Sequence, residues 1–346
     1  MKSRDEFIAV PKNTIQVLQK HGFQFKKQLG QNFLIDMHVL DKIIRAADIG
    51  PGDICLEIGP GIGSLTQALC EATLPAEAGD ARPDDTVDGS VGEAVDAAVD
   101  AAADAGVASA GNDAIGHVYA VEIDDRLIPI LQENLGDYPH LTILHTDFMK
   151  IDLPAFFEEQ QISRPVKVVA NLPYYITTPI IMALFESGVP LASVTVMVQE
   201  EVARRMQAKP GTKDYGALSL AVQYYAEPYI AAHVPPNCFM PRPNVGSAVI
   251  RLTRRSAPPV EVCDAHFMFK LIRAAFGQRR KTLVNSLAGS PELGSQVRLS
   301  NGRLIPLTKE VIQQALEKEN LSPTIRGEAL FLQDFAKLAN NLTEQA

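Results

Sequence analysis

Short, nearly unbroken apolar runs punctuate the first three quarters of the chain. They fall at 53–58, 117–123, 141–144, 168–170, 193–199, 229–234 and 246–252, and most are rich in β-branched residues. Uninterrupted runs of this kind mark strands buried on both faces, as in a parallel sheet covered by helices. Between them, apolar residues recur at helical spacing over about 37–47, 65–70, 125–135, 179–187 and 200–208, with a first helix near 14–21. Strands alternating with helices predict an α/β fold. After Pro258-Pro259 the pattern is helical only, at 266–276, 308–319 and 328–341, which predicts a small all-helical unit. The expected division is 1–257 and 258–346.

The strand ends carry the chemistry. Ile54 to Ile58 leads into Gly59-Pro60-Gly61-Ile62-Gly63, a turn that lets backbone approach a ligand closely, and Glu57 places a carboxylate there. The next strand ends in Glu122 and Asp124. Glu122 follows the apolar run directly and is favoured as the ribose-binding acid, with Asp124 as its competitor. A third strand ends at Asp147, suited to an adenine amino group or, equally, to capping a helix. The fourth delivers Asn171-Leu172-Pro173-Tyr174. An Asn side-chain carbonyl and the next main-chain carbonyl can both accept from an exocyclic amine. Pro173 restrains the Leu172 backbone, and Tyr174 offers a stacking face. A strand followed by an ordinary turn is the plainer alternative. Phe239 sits in a Pro-stiffened loop and reads as an exposed aromatic, either a packing residue or a second wall for a base. Gly30-Gln31-Asn32 precedes a helix, as a simple loop or as a lid against a ligand.

Charge changes this picture once it is resolved by segment. Residues 74–115 contain ten acidic residues and one basic residue, so they account for the whole net charge of −9. The remainder is formally neutral and has basic clusters, so a nucleic-acid partner is not excluded. The same segment has few large apolar residues and is expected to be a flexible surface insertion. With it set aside, 17 positions separate Gly63 from Glu122, near the roughly 20 of dinucleotide folds. Arg279, Arg280 and Lys281 are consecutive cations expected on an amphipathic helix and suited to phosphate contacts. The four cysteines lack paired spacing, which argues against a zinc site or disulfide framework. Residues 1–12 have no signal-type apolar core and no run is long enough to span a membrane, so a cytoplasmic protein is expected.

Six stretches taken in order, 29–34, 57–66, 121–124, 171–174, 239–252 and 276–287, resemble the ribosomal RNA adenine dimethyltransferases. The resemblance implies a class I S-adenosylmethionine-dependent fold, Rossmann-like, with a seven-stranded, mostly parallel sheet and one reversed strand near its edge. It implies cofactor contacts at Asn32, Leu34, Gly59, Glu122, Asp147 and Asn171. It further implies that Asn171 and Leu172 hold the target amine, with Tyr174 and Phe239 stacking on the base, and no metal. Leu172 and the cations after Gln278 favour the branch acting on small-subunit rRNA over the large-subunit resistance enzymes. The implied partners are small-subunit rRNA and the immature small ribosomal subunit, bound by a monomer, with docking as an assembly factor a separable role. The acidic insertion departs from the family's compact pattern.

Overall fold

A computed structural model describes residues 3–26, 30–75 and 115–344. Its strands are β1 (Phe33–Leu34), β2 (Ile54–Ile58), β3 (His117–Glu122), β4 (Leu141–His145), β5 (Val166–Asn171), β6 (Leu191–Gln199), β7 (Ala226–Val234), β8 (Phe239–Met240), β9 (Ser247–Arg254), β10 (Gln296–Arg298) and β11 (Leu304–Pro306). Seven of them form one sheet in the order β4-β3-β2-β5-β6-β9-β7. All pairs are parallel except those made by β9, which runs antiparallel to both β6 and β7. The single reversed strand is thus where the sequence resemblance put it.

The helices of this part are α1 (Pro11–Lys20), α2 (Met37–Ala47), α3 (Ser64–Ala72), α4 (Ile128–Leu135), α5 (Leu153–Glu159), α6 (Thr177–Glu186), α7 (Glu200–Gln207) and α8 (Ala217–Tyr225). They cover both faces of the sheet. Val169 joins one core with Leu40, Leu69 and Leu131, whereas its neighbour Val168 joins the other with Ile181 and Phe185. Successive strand residues point to opposite faces, so a strand apolar at every position has both faces buried. Helices α5 and α8 were not anticipated from the sequence.

The C-terminal part contains α9 (Ala265–Gly277), α10 (Leu283–Leu287), α11 (Lys309–Lys318) and α12 (Leu332–Thr343). Its core includes Leu271, Leu316 and Phe335, and it takes in Tyr215, Leu220 and Tyr224 from the α8 region. Two features correct the expectation of an all-helical unit with a cationic helix. β10 and β11 pair as a small antiparallel hairpin, and residues 278–281 form a turn between α9 and α10.

The two ends of the acidic segment meet at one atom. The Thr73 carbonyl accepts from Gly52 N at 3.2 Å and from Gly116 N at 3.0 Å. Apart from its outermost residues, the expected flexible insertion lies outside the described residues. No helix among the described residues is long and apolar enough to cross a membrane.

Candidate cofactor and adenine site

Strands β2 and β5 lie side by side at the point where the chain's winding reverses, which opens a crevice at their carboxyl ends. An open cavity occupies it, bordered by Glu57, Gly59, Glu122, Asn171, Leu172 and Tyr174. The backbone is shaped for close approach. Gly59 has φ +73°, and a Cβ built there meets nothing within 4 Å, so a side chain would only fill the cavity. Gly63 opens α3 at φ +97°, a backbone conformation that favours glycine, and packs against Leu135 of α4.

Glu122 is buried, and its carboxylate gathers three main-chain donors. Ile123 N and Asp124 N reach Oε1 at 2.9 and 2.8 Å, and Gly61 N reaches Oε2 at 3.2 Å. Burial pushes its carboxyl up, and these donors oppose the shift. The competitor Asp124 is otherwise employed. Arg126 grips it in two places, Nη2 to Oδ2 at 2.6 Å and Nε to Oδ1 at 3.0 Å, and Gln31 Nε2 donates at 2.7 Å. The Arg126 hydrogen bonds hold its carboxyl well below the usual carboxylate range. Asp124 therefore ties the Gly30–Leu34 loop down, and that loop borders the cavity as a lid would.

Glu57 is also buried, and its Oε2 has no hydrogen-bond partner among the described residues. Burial first, and Glu122 nearby, push its carboxyl up to about 8. The folded protein thus holds this proton more tightly than the unfolded chain. Stability that is full in the ordinary carboxylate range declines as pH rises toward about 8. Glu57→Gln is expected to flatten that decline. Thermal melts of the cofactor-free protein from about pH 5 to pH 8 check it, and an unchanged slope in the variant excludes Glu57 as the source.

Asn171 is oriented across the crevice. Its Nδ2 donates to the Asn32 carbonyl at 2.9 Å, which leaves Oδ1 without a partner among the described residues. Leu172 N is fixed to Met197 O at 3.2 Å, and its own carbonyl receives no hydrogen bond among the described residues. Two acceptors thus stand free on adjacent residues. Tyr174 borders the cavity and its hydroxyl pairs with Ser247 Oγ at 2.8 Å. Burial pushes the Tyr174 phenol up, so it stays neutral.

The other expected site residues divide between the cavity border and places outside it. Leu34 borders the cavity, but Asp147 does not; its Oδ1 caps the following turn through Met149 N at 3.0 Å. The exposed aromatic expected at Phe239 is corrected. The residue is 3% exposed, because β8 pairs with β1, setting Phe239 opposite Leu34. Arg279 donates to the Lys213 carbonyl and pairs with Glu328, whereas Arg280 and Lys281 stand exposed beside it. Sequence reasoning missed Ile123, half exposed at the cavity rim, and Ser247. An apolar residue between two strand-end acids was the available signal for Ile123.

A family model described as ribosomal RNA adenine dimethylase matches residues 22–74 and 108–320. The chain belongs to this family. The break in the match falls inside the acidic segment. A curated relative, ribosomal RNA small subunit methyltransferase A of Lachnoclostridium phytofermentans, is 52% identical over 340 residues, covering 98% of this chain and 99% of the relative. A protein of the same name from Alkaliphilus oremlandii is 44% identical over 338 residues, covering 98% and 99%. Among solved structures, a dimethyladenosine transferase from Plasmodium falciparum superposes with TM-score 0.61 at 23% identity, covering 88% of this chain and 95% of the other. The 23S rRNA methyltransferase ErmE superposes with TM-score 0.56 at 22% identity, covering 90% and 99%. These two likenesses speak to the fold.

The dimethylase uses S-adenosylmethionine, and its residues fit that group. The open space over Gly59 admits a ligand, and Glu122 offers acceptors to a diol.

Proposed function

We propose that this dimethylase converts two adjacent adenosines, in a loop near the 3′ end of small-subunit (16S) rRNA, to N6,N6-dimethyladenosine. One observation carries the assignment of roles. The Asn171 amide is held by its nitrogen end on the Asn32 carbonyl, so its oxygen end and the Leu172 carbonyl remain as acceptors. S-adenosylmethionine, when bound, supplies an activated methyl group. The adenine N6 lone pair is delocalised into the ring and nucleophilically weak. Accepting its two N–H protons at Asn171 Oδ1 and Leu172 O favours a pyramidal nitrogen with an available lone pair. Tyr174 orients the base through its face, and the target nucleotide leaves its stack to reach it. No residue here needs to act as a strong base, since the N–H becomes acidic only as the new bond forms. Glu122, with Asn32, Leu34, Gly59 and Asp147, is assigned to the cofactor side.

Arg280 and Lys281, with Arg279, are assigned to rRNA phosphates, and the C-terminal part from 258 onward to RNA binding. The enzyme is proposed to act as a cytoplasmic monomer on the immature small subunit. Joint replacement of Arg280 and Lys281 by Ala is expected to weaken binding across RNA sequences. It should also lower the slope of log affinity against log salt by about 0.7 to 0.9 per lost contact. An unchanged slope removes them from the interface. The activity itself is tested by mass spectrometry of unmethylated small subunits incubated with the enzyme and labelled cofactor, with large-subunit RNA in parallel. Dimethyladenosine in small-subunit RNA alone is the expected result; label in large-subunit RNA alone overturns the substrate.

A further inference from the structure

The reversed strand places one further group at the active edge. Every parallel strand brings its last residue to the cavity side. β9 runs the other way and brings its first residue, Ser247, to that side. Ser247 is 1% exposed, and its backbone is in register with Gln199 of β6 and Val234 of β7. Its hydroxyl is therefore held by a strand with partners on both sides. The Tyr174 hydroxyl sits 2.8 Å from it. Tyr174 lies outside β5, in the turn that follows, where little regular backbone structure fixes its ring.

We infer that Ser247 is a positioning residue that locks the Tyr174 ring, and that the second methyl transfer depends on this lock more than the first. The inference rests on the assignment of Asn171, Leu172 and Tyr174 to the target base. An unmethylated N6 carries two protons, one for each of the two free acceptors. After one transfer the nitrogen keeps a single proton, so one of the two hydrogen bonds can no longer form. The base is then held by one polar contact and by its stacking face. Pre-set orientation of the stacking ring carries a larger share of the positioning in that second step. Ser247 touches neither base nor cofactor in this scheme; it acts through the tyrosine. Because the ring is anchored at its far end to a strand on the reversed side of the sheet, its tilt is set independently of the Asn171–Asn32 contact.

The test is a single-turnover time course on unmethylated small subunits, in which monomethyl- and dimethyladenosine are separated by mass spectrometry. Ser247→Ala and Tyr174→Phe each remove one half of the hydroxyl pair and keep the ring. Each is expected to slow the second transfer by about 3- to 10-fold, the range of one lost neutral hydrogen bond, and the first transfer less. Monomethyladenosine then accumulates. The double variant is expected to match either single one, because both remove the same bond. A thermal melt of each variant establishes that it folds. Equal slowing of both steps, or additive losses in the double variant, overturns the inference and leaves Ser247 a packing residue. Failure of the wild-type enzyme to form dimethyladenosine would instead overturn the assignment of the reaction, so the two failures are distinct.

Discussion

Asn171→Ala is expected to lower the rate of methyl transfer by about 10²- to 10³-fold, the cost of removing one preorganised polar group from a reacting centre. The substitution removes two interactions together. One is the acceptor proposed for the target amine; the other is the bond from Nδ2 to the Asn32 carbonyl, which ties β5 to the loop beside the cavity. RNA affinity should stay near the wild-type value, since the exposed cations lie on the separate turn at 278–281. Asn171→Asp separates the two contributions. It keeps an acceptor for the amine but sets a carboxylate against the Asn32 carbonyl, so its defect should include weaker cofactor binding. Single-turnover rates with filter-binding of RNA decide the matter. Activity and RNA binding lost in parallel would remove Asn171 from the chemistry.

The second large effect is expected at Glu122. Replacement by Ala leaves the N–H groups of Gly61, Ile123 and Asp124 without their common acceptor in a buried place. Each such donor costs about 1–3 kcal/mol when unpaired, so the melting temperature should fall clearly. Cofactor affinity should fall by at least about 100-fold, because the same carboxylate is the proposed partner of the ribose hydroxyls. Glu122→Gln keeps one acceptor but turns an amide nitrogen toward either Gly61 N–H or the ligand, so an intermediate loss is expected. Calorimetric titration with S-adenosylmethionine measures both. Unchanged affinity in the Gln variant would mean that Glu122 serves the turn alone.

The contrast between Glu122 and Asp124 shows how far sequence reasoning reaches. The apolar run ending at Val121 made the strand visible and offered two acids at its end. What separates them is partnership. Arg126, two residues beyond Asp124, was a readable signal that Asp124 is neutralised, but the contribution of Gln31 comes from 93 positions away. The Asn171–Asn32 contact spans 139 positions and leaves no local trace. Ser247 is similar, because its place depends on one strand running backwards. Phe239 misled because its prolines describe a loop, whereas burial comes from β1, about two hundred residues earlier in the chain. The cationic turn misled for a different reason. Apolar residues flank it at helical spacing, yet Gly277 closes α9 and Thr282 opens α10, and those are stop and start signals. The strands were legible because burial on both faces writes itself as composition. The contacts that finish the site were not, because they join residues distant in sequence.

The junction at Thr73 gives the molecule a modular seam. A stretch of 42 residues departs after Thr73 and rejoins at Gly116, and a single carbonyl binds both shores. His117 begins β3 there, at the amino edge of the sheet, while every proposed reactive group stands at the carboxyl edge. Closing a longer loop over such a stem adds only about 0.6 kcal/mol for each doubling of its length. The family match is interrupted within this same stretch, between residues 74 and 108, on the side of the sheet away from the proposed reactive groups. The same seam makes a natural grafting point for a reporter domain or an affinity handle.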